Sequence, residues 1–148
     1  MSRTHTILCS TYLAIAALAL VACWRQNLAF MNVAGLDLAS GFIQFWPALL
    51  ANHATTSITI DILLFGLAAI VWMVIEARRL GIGFVWVYVI LAFVIAISVT
   101  FPIFLFVRER RLRALGLARE AAPTAADLAG LAVFGIPIVL FAAYTLVR

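Results

Sequence analysis

Apolar residues run through this chain in four long stretches, at residues 7–24, 58–75, 84–107 and 128–147, and the segments between them hold nearly all of its charges. Each stretch is close to the roughly 20 apolar residues that cross the hydrocarbon core of a bilayer. The pattern predicts an all-α integral membrane helical bundle with four transmembrane helices. Residues 25–57 follow a different rule. Asp37 is suited to cap a helix, and Leu38, Phe42, Phe45, Trp46 and Leu49 recur at helical spacing with Ser40, Gln44 and Asn52 on the other side. This spacing predicts an interfacial or re-entrant helix over about residues 37–50. Pro47 is expected to kink or end it, since proline lacks an amide donor and crowds the preceding turn.

Boundary signals refine the picture. The second span closes on Glu76-Ala77-Arg78-Arg79-Leu80-Gly81, with cations at the negative end of the helix dipole and a glycine for the left-handed position after it. Gly81-Ile82-Gly83 reads as a tight turn and lacks the strand and spacing of a phosphate loop. In the third span Phe101-Pro102 frees the carbonyl of Ser98 and predicts a kink packed against a neighbouring helix. Residues 121–124 read as a linker, after which Thr124 and Asp127 form a capping pair that opens the last helix. Gly135-Ile136-Pro137 predicts a break within that helix. The chain therefore divides into a three-helix membrane core at 1–113, a basic loop and linker at 114–127, and an appended fourth helix at 128–148. Close helix approach is expected at Ala and Gly.

Composition removes the remaining classes. Apolar residues make up 67% of the chain and charged ones 11%, against roughly 45–50% and 25% in soluble domains, and mean hydropathy is +1.19. A net charge of +4 rests on arginine alone. It points to membrane flanks and not to nucleic acid, which needs a polar face with stacking platforms. Cys9 and Cys23 lie about 21 Å apart along one helix and cannot pair there. Four crossings would set Arg25 with Arg108, Arg110, Arg111, Arg113 and Arg119 on one side, and Arg3, Arg78, Arg79 and Arg148 on the other. The positive-inside rule then makes the 108–119 loop of a multi-pass cell-membrane protein cytoplasmic.

Few residues can carry chemistry. Asp61 lies about one turn inside a span, where an ionised carboxylate is costly and commonly functional; the competing reading is a partner for the helix dipole beside Thr56, Ser57 and Thr59. Asn52, His53 and Asp37 fall on the same membrane face, so these four are the candidate ligand-binding residues and Asp61 the candidate catalytic one. Glu76 follows Asp61 by about 22 Å along the axis, too far for an acid/base pair, and is expected to pair with Arg79. His5 and His53 lack partners at metal-ligand spacing, so no metal and no cofactor is expected. Arg108, Arg110, Arg111 and Arg113 are candidates for contact with anionic headgroups or a protein partner. Two functions stand: a small membrane subunit or module that binds a hydrophobic small molecule, and a membrane-embedded isomerase-like enzyme in which Asp61 acts as acid or cation stabiliser.

Two resemblances bear on this. Thr59-Ile60-Asp61, Glu76-Ala77-Arg78-Arg79-Leu80-Gly81, Phe101-Pro102-Ile103-Phe104-Leu105 and Arg108-Glu109-Arg110-Arg111, with Asn27-Leu28-Ala29-Phe30-Met31, resemble a family of small bacterial integral membrane proteins known only as a domain of unknown function. The resemblance covers about residues 5–113 and implies that the linker and fourth helix are additions to the family pattern. More distantly, Asp61 and Pro102 are similar to positions of the plant plastid membrane family of neoxanthin formation. That likeness implies an intramembrane site for a carotenoid or other isoprenoid.

Overall fold

The computed structural model describes residues 3–117 and 123–147. Residues 118–122 of the expected linker, Arg119 among them, lie outside the described residues, as does Arg148. The regular elements of the described residues are all helices, in the order α1 (Arg3–Ala34), α2 (Leu38–Ala48), α3 (His53–Leu80), α4 (Val85–Val94), α5 (Ile97–Ala114) and α6 (Ala125–Val147). Three segments are long and apolar enough to cross a membrane: His5–Ala34, His53–Leu80 and Ala125–Val147.

Local signals act where the sequence puts them. The Asp37 carboxylate accepts the Ser40 amide at 2.7 Å and starts α2, which ends one residue past Pro47. Asn52 accepts the amides of Ala54 and Thr55, and Thr55 returns a contact to the Asn52 amide, so a reciprocal box opens α3. Gly81 closes α3 at φ +64°, and the Ile82 amide reaches back to the Ala77 carbonyl at 2.9 Å. Thr124 and Asp127 bond each other reciprocally ahead of α6. The break expected at Gly135-Ile136-Pro137 is absent, and α6 runs through it. One missing amide bond bends a helix, while apolar surroundings favour keeping all the others.

The third expected span is corrected. Residues 84–107 do not form one transmembrane helix: α4 ends at Val94, Ala96 is extended at φ 174° and ψ 145°, and α5 folds back along α4. Tyr88 and Phe104 stack edge to face with ring centres 5.7 Å apart, although a continuous helix would hold them about 24 Å apart. Val85, Phe104, Met73 and Ala77 form one buried cluster of α3, α4 and α5. The reversal precedes Pro102, which sits inside α5, and so differs from the kink expected there.

This hairpin re-sorts the ends of the bundle. Trp72 meets Phe101 and Phe104, and Glu76 meets Arg108, so α5 runs parallel to α3. It runs antiparallel to α1, because Cys23 lies 3.9 Å from Ser98 while His5 shares a recess with Arg110 and Arg113. The start of α1, the end of α3 and the end of α5 therefore gather at one end. The expected separation of Arg108–Arg113 from Arg78 and Arg79 is overturned, because a hairpin returns the chain to the side it came from. Thr145 accepts a bond from Gln26 at 2.9 Å, placing the close of α6 at the opposite end, with α2 and the start of α3.

Candidate functional site

Packing is uneven along the bundle. At the arginine-rich end α3, α4 and α5 enclose the buried cluster. Toward the other end α3 stands apart, since its Cα trace comes no nearer than 8 Å to α1, α2 or α6 among the described residues. The gap is a cavity of about 680 Å³, within the few-hundred to thousand cubic ångström range of small-molecule sites. On α3 it is lined by Thr59, Ile62, Leu63, Gly66 and Ile70, one face at helical spacing. Phe30 of α1 faces Phe45 of α2 at 6.1 Å between ring centres, and Phe42 and Trp46 continue the aromatic wall. The hairpin tip at 92–98 forms the floor, and Phe141 and Thr145 of α6 close one side.

None of the lining side chains is charged. The Trp24 indole N–H is fully buried and finds no acceptor among the described residues. Val99 and Thr100 donate their amides to the Ala96 carbonyl, which leaves those of Ile97 and Ser98 as the unclaimed first amides of α5 at the floor. Irregular backbone at membrane depth is tolerated where it lines a cavity. Two residues reinforce the shape. Gly41 is buried against Met31, whose side chain occupies the space a Cβ there would take, so α2 lies close on α1. At Gly66 a Cβ would meet nothing within 4 Å, so the chamber opens directly at the α3 backbone.

The candidate residues fall around this chamber but not on its wall. Asp61 is exposed and lies off the lining stripe of α3. Asn52 is engaged in capping, His53 is the exposed first residue of α3, and neither lines the cavity. Asp37 caps α2, and the Ser40 amide, helped by the Ser40 side chain, holds its carboxyl below the usual carboxylate range. None of these four lines the cavity. The lining residues Phe42, Phe45 and Trp46 were visible in the sequence only as an amphipathic pattern, and Phe30 only in the stretch that resembles the family; nothing there announced a cavity.

A chain stretch matching the family described as "Protein of unknown function DUF2834" covers residues 11–110. The chain belongs to this family. The matched stretch supplies the chamber walls from α1, α2 and α3 and its floor at the hairpin tip, whereas α6 lies beyond it. No curated protein and no solved structure matches the chain, and the likeness to the plant neoxanthin family is not shown.

The second polar feature is a clamp at the arginine-rich end. Glu76 is 6% exposed and takes Arg79 through two bonds, at 2.7 and 2.5 Å, and the Arg108 Nε at 2.7 Å. Arg108 also reaches Glu109 at 2.7 Å and lies over the Trp72 ring, 5.5 Å from its centre. Arg111 donates to the Leu80 carbonyl at 2.9 Å, one of the acceptors left open by the end of α3. The Glu76–Arg79 pair was expected; Arg108 as second partner was not, because the two were assigned to opposite sides. Of the four candidate arginines, Arg108 and Arg111 are thus committed within the fold, and Arg110 and Arg113 stand at the recess beside His5.

Proposed function

We propose that this protein is a non-catalytic membrane module that holds one neutral hydrophobic molecule in the chamber. The observation that carries the reading is the uncharged cavity of about 680 Å³ between splayed helices. Its size suits an isoprenoid, quinone or other single-chain lipid. The first amides of α5 at its floor suit a hydroxyl or carbonyl oxygen on that molecule. A charged ligand has no counter-ion on these walls. With Asp61 off the wall, the chamber lacks the acid that an isomerase-like reaction would use, which favours holding a ligand over transforming it.

The arginine-rich end is proposed to face the cytoplasm. Among the described residues that end holds Arg78, Arg79, Arg108, Arg110, Arg111 and Arg113, against Arg25 at the other. On this reading α4, about 15 Å long at 1.5 Å per residue, enters only half of the roughly 30 Å core before the chain turns back. The chamber then lies in the outer half of the bilayer with α2 along its rim.

Gly66→Phe tests the binding reading. The ring enters open space, so folding and thermal stability should persist while the molecule that co-purifies in mild detergent, identified by mass spectrometry, is lost. Retention of the same molecule at wild-type stoichiometry by a folded Gly66→Phe protein would sink the proposal.

A further inference from the structure

The start of α1 and the last turns of α5 leave a recess of about 510 Å³, lined by His5, Phe106, Arg110, Arg113 and Ala114. Phe106, Arg110 and Arg113 are four and three residues apart, so they share one face of α5. The neighbouring arginines are spent: Arg79 and Arg108 on Glu76 and Glu109, Arg111 on the Leu80 carbonyl. Arg110 and Arg113 meet no carboxylate within salt-bridge distance among the described residues. The Arg110 guanidinium carbon lies over the Phe106 ring, 5.8 Å from its centre, a cation–π contact that leaves its N–H groups for another partner. The amino end of α1, whose first amides have no acceptor within the helix, stands on the other side of the recess.

We infer that this recess is a binding site for one anionic phosphate group, taken by Arg110 and Arg113 with the His5 ring as third wall. Each guanidinium presents a fork of parallel N–H donors that matches two phosphate oxygens, which a single mobile ammonium does not. The site is independent of the chamber, at the other end of the bundle. The phosphate comes either from a lipid headgroup of the adjoining leaflet or from a soluble phosphate, and one experiment separates the two.

The full-length protein in neutral detergent is analysed by native mass spectrometry with phosphatidylcholine, phosphatidylglycerol or inorganic phosphate added. The expected result is one phosphatidylglycerol per chain, preferred over phosphatidylcholine by about tenfold or more, as two basic groups at one phosphate supply. Arg110→Gln with Arg113→Gln should abolish the preference; Arg78→Gln, at the same end but outside the recess, should leave it intact, with thermal unfolding showing all variants folded. Millimolar inorganic phosphate that binds without lipid and displaces it assigns the soluble source, and phosphatidylglycerol retention that phosphate does not displace assigns the headgroup. A preference that survives the double substitution, or that falls equally in Arg78→Gln, overturns the site. So does full retention by the Arg110→Lys, Arg113→Lys protein, since diffuse charge would then suffice.

Discussion

Glu76 shows how one residue in a sparse polar set acquires unequal partners. Arg79 is 59% exposed at its side chain and Arg108 only 22%, so the two bonds to the same carboxylate differ in worth. Exposed pairs contribute up to about 1 kcal/mol, whereas removing one member of a buried pair costs about 3–5 kcal/mol. Arg108→Gln should therefore lower thermal stability far more than Arg79→Gln, and Glu76→Gln at least as much as Arg108→Gln; equal effects in detergent unfolding would contradict the clamp. Asp61 lies at the other extreme. Exposed and off the chamber wall, its conversion to Asn should cost no more than about 0.3–1 kcal/mol and leave ligand retention unchanged. Asp37 makes a pH prediction. Its carboxyl is held below the usual carboxylate range, so the cap on α2 is fully present above the ordinary Asp value and is lost as pH falls through the lowered one. Hydrogen exchange of the Ser40 amide should accelerate only in that acid window; protection lost near neutral pH would exclude Asp37 as the cause.

Helices were legible where short-range chemistry marks them. Asp37 before α2, Asn52 before α3 and Gly81 after α3 each act within four residues of themselves, and each boundary follows from its own side chain or φ angle. The α4–α5 reversal was not legible, because Ala92 to Ser98 are as apolar or small as any spanning segment, and a hydropathy window cannot distinguish a helix that continues from one that doubles back. What stabilises the reversal is tertiary: Tyr88 and Phe104 in contact, and Val85 buried with Met73. The chamber was hidden for the same reason, since it depends on α3 leaving α1, and no single element encodes a gap. The α2 contact is a clear test at this scale. Gly41→Val should drive the new side chain into Met31 and loosen α2 from α1, releasing ligand without disturbing the cluster around Phe104. Tryptophan fluorescence of Trp46, with retained ligand measured in parallel, would check it.

At the scale of the molecule, stability and openness are segregated. The clamp and the buried cluster hold α3, α4 and α5 at the arginine-rich end, and the chamber occupies the end where α3 is unsupported. Helix α6 contributes no buried residue and reaches α1 through Gln26 and Thr145. Loss of α6 should therefore spare the Glu76 clamp while widening the chamber. The hairpin carries one more consequence, which is a matter of parity. A dip that returns to its own side adds nothing to the count, so the proposed orientation, with each of the three membrane-length helices among the described residues crossing once, gives an odd total and puts the two chain ends in different compartments. Ending the chain after Leu117 makes the total even. A carboxyl-terminal reporter that reads as external on the full-length protein should then switch to the compartment of the amino terminus, with no other segment having moved.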